Sequence, residues 1–297
     1  NNAYVNLTSS PVKGLNGSLQ VDSLVANGFE IDTVRFNVFS DESTMTYTAQ
    51  LRNGKDNPQY VFNALIDGSI NEHGTSLKTR VYDLHDRLGV QLGLQGSMEQ
   101  NGIRVHLFGD DPIIGYKKFS VNDNNYIFMG DDRRVSANMV LQAADGMGMQ
   151  IFSNDQDSTV LQDLSINLHK FNIGDALAMI PYTPNVEGIL NGDFHIIQTS
   201  KEITVSSSVN VANMIYEGST IGNIGSEFTY MPRSDGGHYV DGILLHEGNE
   251  IGVLTGTYFS QGKGVLDAKV DLERFPMDMA NGFIPDRLIG FKGYAEG

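Results

Sequence analysis

Few residues of this chain fall at spacings that could do chemistry, and each such set lacks a part that its reaction needs. His246-Glu247, followed by Glu250, approaches the zinc-protease pattern, in which two histidines four residues apart on one helical face hold the metal and a glutamate acts as base. The second histidine is missing, and Gly248 and Gly252 place the segment in a turn between strands. Asp155, Asp157 and Asp163 resemble a calcium loop, but Val160 stands where the loop needs glycine and Ile166 where it needs a bidentate glutamate. The doublets Asp110-Asp111 and Asp131-Asp132 lie beside glycine and read as solvated loop acids. Gly146-Met147-Gly148 reads as a strand-to-strand turn, because no helix follows it to receive a phosphate. His73, His85, His106, His169, His195 and His238 are isolated and read as surface strand residues. No nucleophile, base and orienting group come together, so the sequence points away from an enzyme and implies no metal site and no cofactor.

Composition narrows the classes further. The 297 residues carry a formal net charge of −16 and scattered basic residues, which argues against a nucleic-acid partner. The absence of cysteine removes disulfides, thiolate metal sites and thiol catalysis. No stretch reaches the roughly 18 apolar residues of a membrane-spanning helix. The chain starts without Met and stops inside a repeat, and we read it as a fragment of a longer protein.

What must position any functional group here is strand after strand. Apolar residues alternate with polar ones at Val34, Phe36 and Val38; at Met45, Tyr47, Ala49 and Leu51; at Leu88, Val90, Leu92 and Leu94; and at Ile103, Val105 and Leu107. The same period of two recurs at Val135, Ala137, Met139 and Leu141, then Leu164, Ile166 and Leu168. It returns at Ile203, Val205, Val209 and Val211, and at Leu266, Ala268, Val270 and Leu272. Alternation with this period marks strands that have one apolar and one wet face. Asn53-Gly54, Asp67-Gly68, Asn101-Gly102, Asp145-Gly146, Asn191-Gly192, Asp241-Gly242 and Gln261-Gly262 read as the turns of an antiparallel meander. Two segments, near 172–180 and 277–284, show helical spacing and stop at Pro181 and Pro285. The expected fold is therefore all-β, one continuous repetitive domain over 1–297 with sub-repeats 1–160 and 161–297.

The two helical segments belong to an internal repeat. Ile166, Phe171, Ile180, Pro181, Gly188 and Gly192 are echoed about 104 residues later by Val270, Phe275, Ile284, Pro285, Gly293 and Gly297. A weaker echo links Gly28, Ile31 and Val34 to Gly218, Ile221 and Ile224. A long sheet with one apolar face must pack on a second sheet, close into a barrel, or curl into a trough with a greasy inner wall.

Val186-Glu187-Gly188-Ile189-Leu190-Asn191-Gly192, Met214-Ile215-Tyr216-Glu217-Gly218 and Gly222-Asn223-Ile224 carry a family resemblance. Leu254-Thr255-Gly256-Thr257-Tyr258, Leu272-Glu273-Arg274-Phe275-Pro276 and Phe283-Ile284-Pro285-Asp286 extend it. In that order these motifs resemble the repeats of TamB/AsmA-like proteins, with Tyr-Glu-Gly and Phe-Ile-Pro-Asp similar to the versions in Bacteroides-type bacteria. The match is best from about 160 to 297. The resemblance implies an antiparallel sheet curled into an open, U-shaped groove (a β-taco) in a periplasmic protein anchored in the inner membrane. It also implies phospholipid transport between the two membranes, outer-membrane biogenesis and protein secretion, and a TamA-like barrel partner in the outer membrane. Lipid acyl chains or detergent would then occupy a groove lined by Val135, Ala137, Met139, Leu141, Ile203, Val205, Val209, Val211, Leu266, Ala268, Val270 and Leu272. The alternatives are a chaperone or scaffold that assembles outer-membrane proteins by β-augmentation, and a β-sandwich surface binding module.

Overall fold

A computed structural model of the chain describes residues 2–10, 14–26, 29–41, 43–57, 60–108, 111–154, 160–177, 183–233, 236–259, 264–283 and 290–297. These fall into two compact units, Asn1–Arg133 and Arg134–Gly297. Unit 1 contains β1 (Asn2–Ser10), β2 (Gly14–Ala26), β3 (Phe29–Ser40), β4 (Thr44–Asn53), β5 (Phe62–Asn71), β6 (Gly74–Tyr82), β7 (Leu88–Glu99), β8 (Gly102–Leu107), β9 (Ile113–Ile114), β10 (Lys117–Val121) and β11 (Tyr126–Gly130). Unit 2 contains β12 (Val135–Ala143), β13 (Gly148–Ser153), β14 (Gln162–Asn172), the helix α1 (Ile173–Leu177), β15 (Val186–Gln198), β16 (Ile203–Tyr216), β17 (Ser219–Pro232), β18 (Gly237–His246), β19 (Asn249–Phe259), β20 (Val265–Leu272), β21 (Phe275–Pro276), a 3₁₀ helix (Met277–Phe283) and β22 (Tyr294–Ala295). The fold is all-β, and each strand of the main meanders pairs antiparallel with its sequence neighbour.

Both helical segments are short. The first is a five-residue helix, and the second is a 3₁₀ helix rather than an α-helix. Ile180, Pro181, Ile284 and Pro285 lie outside the described residues, as do Gly28, Asp110, Asp155, Asp157 and the Gln261-Gly262 pair.

Three of the dipeptides expected to be turns are strand interiors: Asp67-Gly68 in β5, Asn191-Gly192 in β15 and Asp241-Gly242 in β18. Their glycines are needed where a large side chain crosses the strand. A Cβ on Gly68 would stand 2.5 Å from the Tyr47 ring, and one on Gly242 would stand 2.9 Å from Phe228 Cβ. The preceding Asp or Asn faces the polar side by alternation, as Asp67 does in accepting two bonds from Arg80 at 2.9 and 3.1 Å. The pattern Asx-Gly thus means polar face then aromatic-covered face here, not a hairpin.

Two true hairpin turns share one construction. Glu217-Gly218 and Glu247-Gly248 each take two consecutive left-handed residues (φ 47° and 77°; 49° and 76°), as a tight two-residue hairpin demands. In both, the glutamate backbone N–H donates to a carbonyl on the adjacent preceding strand or its start, on Asn185 or Asn223, and its Oε1 accepts the N–H of that same residue, all at 2.8 Å. These bonds hold the Glu247 carboxyl below the usual carboxylate range. Glu247, the would-be catalytic residue of the zinc-protease pattern, is thus a turn clamp. Glu247→Gln is expected to speed amide exchange at Asn223 in hydrogen-exchange mass spectrometry while leaving β17 protected elsewhere; unchanged exchange would show that the clamp is idle.

Candidate functional site

Register decides whether scattered apolar residues make a surface. Residues directly opposite on antiparallel strands point to the same face, so cross-strand partners can be followed from strand to strand as rungs. In unit 2 one rung runs Leu141, Met149, Leu168, Gly192, Val209, Ser226, Leu244, Gly252, Leu272. The next runs Met139, Ile151, Ile166, Phe194, Ser207, Phe228, Gly242, Leu254, Val270. A third runs Ser153, Leu164, Ile196, Val205, Tyr230, Val240, Gly256, Ala268. Ala137 joins this last row, its N–H donating to Ser153 Oγ at 3.0 Å. Val211 extends the face past Leu190 on one side and Ile224 on the other.

The three separate groups of residues singled out from the sequence therefore share one continuous face from β12 to β20. They are not equally covered. Ala137, Met139, Leu141 and Val211 are buried, while Val135, Ile203, Val205, Val209 and Leu272 are half-buried. Leu266, Ala268 and Val270 on β20 are exposed, Leu266 to 70%. Val135 is pinned by Gln162, whose side-chain amide bonds its N–H and carbonyl, both at 2.6 Å, as a neighbouring strand would.

The face is covered at one end by the segment after β20. Phe275 of β21 and Met279 of the 3₁₀ helix, with Val209, Val211, Ile224, Leu244 and Ile251, line a half-open, almost wholly apolar pocket of about 220 Å³. Elsewhere on the face a single polar atom is stranded: Ser207 Oγ is buried without a partner, between Phe194 and Phe228. The opposite face of the same strands is the more polar one, although Val140, Phe152, Ile197, Ile243 and Val253 lie on it. A depression there of about 610 Å³ is lined by Asp193, His195, Ser206, Ser208, Glu227 and Asp241 among others. His195 Nε2 meets Asp163 Oδ1 at 2.7 Å. Among the described residues no three His, Asp or Glu side chains converge as a metal site.

Unit 1 repeats the two-faced design. Val5, Leu19, Phe36, Ala49, Ile66, Thr79 and Leu92 form one rung on the apolar side. Among its described residues one carboxyl is strongly perturbed, Asp83, at the β6–β7 corner. Burial alone would raise the Asp83 pKa. The N–H groups of Arg87 (3.0 Å) and His85 (2.8 Å), the Tyr116 hydroxyl (2.8 Å) and the Arg87 guanidinium (2.9 Å at Nε) outweigh it and hold the group well below the carboxylate range. Burial and the Asp83 bond push Tyr116 up to about 12, so it stays a donor. Perturbed titration often marks an active site. Here every carboxylate lone pair is already used by the fold, so the cluster is a corner brace.

No family model matches the sequence, and neither a curated protein nor a solved structure does.

Several residues of the apolar face escaped the sequence reading: Phe194, Ile196, Phe228, Tyr230, Val240, Leu244, Phe275 and Met279. The glycines in the in-facing rows of β15, β18 and β19 interrupt the hydrophobic period that would have revealed most of them. Gly192, Gly242, Gly252 and Gly256 all occupy such rows.

Proposed function

We propose that the apolar face of unit 2 holds lipid acyl chains, and that the protein serves phospholipid movement and outer-membrane biogenesis in the periplasm in the manner of TamB-like proteins. The observation that carries this reading is the continuous, largely apolar face over nine strands, left half-buried or exposed along much of its extent. A face that large is costly in water unless something apolar covers it. Each acyl methylene withdrawn from water contributes about 0.8 kcal/mol, so rows of Leu, Ile, Val and Phe bind chains by length rather than by headgroup. The covered end also suits this cargo. Apolar cavities of about 150 Å³ already admit benzene, and the space under Phe275 and Met279 is larger. The polar reverse face, with the chain's net acidity, keeps the other side of the sheet in solvent. The periplasmic setting, the inner-membrane anchor and a TamA-like partner rest on the motif resemblance alone.

Native mass spectrometry of the purified chain tests the cargo. The expected spectrum contains adducts with the masses of phospholipid or detergent, released on collisional activation. Val205→Asp and Val270→Asp each place a charge on the face and are expected to reduce those adducts about tenfold, since an unpaired carboxylate against an acyl chain is strongly disfavoured. Val270 is 46% exposed, so its variant folds and isolates the binding effect. A wild-type chain free of lipid, with β12–β20 fully protected from exchange, would refute the proposal.

A further inference from the structure

The polar face of unit 1 is stitched together by its own side chains, with one break. Gln20 donates to Asp22 (3.1 and 3.4 Å), Asn37 to Thr48 (3.3 Å) and Arg80 to Asp67 (2.9 and 3.1 Å), while Ser69 meets Ser76 at 2.8 Å. Register and alternation put all of these on the face opposite Leu19, Phe36 and Ala49. Arg35 of β3 and Arg52 of β4 share that polar face. Both are exposed, and among the described residues neither guanidinium has a hydrogen-bond or ion-pair partner.

Arg35 stands opposite Gln50 and Arg52 opposite Asn63, with Gln50 and Arg52 two residues apart on β4. The two arginines are therefore diagonal neighbours, roughly 7 Å apart at Cβ. Their strands are each paired along both edges, so the middle of the sheet fixes this spacing. Beside them Gln50 Nε2 donates to Asn63 Oδ1 at 2.8 Å, which orders both amides. The nearest carboxylates by register, Asp22 and Asp67, are engaged by Gln20 and Arg80. Two unpaired like charges side by side repel, and an anion seated between them reverses the sign of that interaction. In a chain of net charge −16, a shortage of carboxylates does not explain why these two cations are left open.

We infer that Arg35, Gln50, Arg52 and Asn63 form a binding site for an acidic polysaccharide. The acid group of one sugar sits between the guanidiniums, whose planar forks match a carboxylate or a sulfate. The amides and hydroxyls around them, on Gln20, Asn37 and Thr48, suit the hydroxyls of neighbouring sugars. Tyr4 lies in the same row as Arg35 and is 62% exposed, which offers a flat ring to the apolar face of a pyranose. A nucleic acid would need a longer stripe of cations than two arginines. An anionic membrane would be repelled by the acidity of the rest of the chain. The site is independent of the lipid reading, which concerns unit 2.

Fluorescence anisotropy with labelled oligosaccharides tests the site on the full chain. The probes are an oligogalacturonate, a sulfated maltooligosaccharide and the same maltooligosaccharide without sulfate. At least one acidic probe is expected to bind and the neutral one is not; the tighter of the two acidic probes identifies the acid group. Arg35→Gln combined with Arg52→Gln should raise the Kd about tenfold, the sum of two exposed ion pairs. Lys117→Gln with Lys118→Gln removes the same charge elsewhere and should leave the Kd within about twofold, because distant exposed charges are screened. Failure of both acidic probes to bind overturns the inference, as does equal binding of the neutral probe. Full affinity in the double arginine variant, or an equal loss in the lysine variant, also overturns it. So does binding to phosphatidylglycerol vesicles alone, since the partner would then be a membrane surface.

Discussion

Asp83→Ala is expected to lower the unfolding free energy of unit 1 by about 3 kcal/mol, because it strands buried donors that the carboxylate now satisfies. The loss has a direction at each donor. The Arg87 and His85 N–H groups lose their acceptor at the β6–β7 corner, and the Tyr116 hydroxyl loses the anchor that ties the β9–β10 hairpin to it. Tyr116 itself sits at φ 65°, a conformation that its surroundings must enforce. Urea unfolding followed by tyrosine fluorescence measures the change. The pH dependence has a definite sign. A carboxyl held lower in the folded than in the unfolded chain contributes its full stability above the unfolded pKa, about 4, and loses it as pH falls toward the folded value. Wild type should therefore lose stability on acidification below about pH 4 more steeply than Asp83→Ala. Parallel curves would mean that the corner does not depend on the ion.

Gly68→Val is expected to destabilise unit 1 by about as much, roughly 3 kcal/mol, through overpacking. The new Cβ would clash with the Ser76 carbonyl and stand 2.5 Å from the Tyr47 ring, whose hydroxyl reaches the same carbonyl at 3.4 Å. One of the obstacles is backbone, so moving the ring alone cannot relieve the strain. The double-mutant cycle with Tyr47→Ala should recover only part of the loss. Full recovery would show that the aromatic cover, not the strand spacing, demands glycine at this position.

The same glycine explains what the sequence could and could not tell. Strand type and antiparallel order were legible because apolar and polar residues alternate over most of β4, β7, β12, β16 and β20. Asp67-Gly68, Asn191-Gly192 and Asp241-Gly242 were misread as turns because the dipeptide that permits a hairpin also permits an aromatic ring to cross a strand. Only the cross-strand partner distinguishes them: Tyr47 opposite Gly68, Phe228 opposite Gly242. The helical segments were legible from the spacing of Ile173 and Leu177 and of Met277 and Ala280, though the second is a 3₁₀ rather than an α-helix.

For the candidate site, the register joins the residues chosen on β12, β16 and β20 into one face. The sequence could not find the cover. Phe275 and Met279 reach Val209 and Leu244 from a segment whose own pattern is irregular. The Asp83 brace was equally hidden, because Tyr116 lies 33 residues away and no local motif links the two. The two copies of the repeat corner, by contrast, were legible as spacing. In each copy the residue before the repeated Phe, Lys170 or Arg274, is left-handed (φ 49° and 51°).

Site-resolved photocrosslinking shows whether acyl chains lie on the apolar face of unit 2. The wild-type chain is illuminated with phospholipid vesicles whose acyl chains bear a diazirine, and the adducts are mapped by peptide mass spectrometry. Labels are expected on Val209, Leu244, Val270 and Met279, none on Ser206, Glu227 or Asp241 of the reverse face, and the Val209 and Leu244 labels should be lost in Val205→Asp. Labelling spread equally over both faces, or confined to the reverse face, would contradict it.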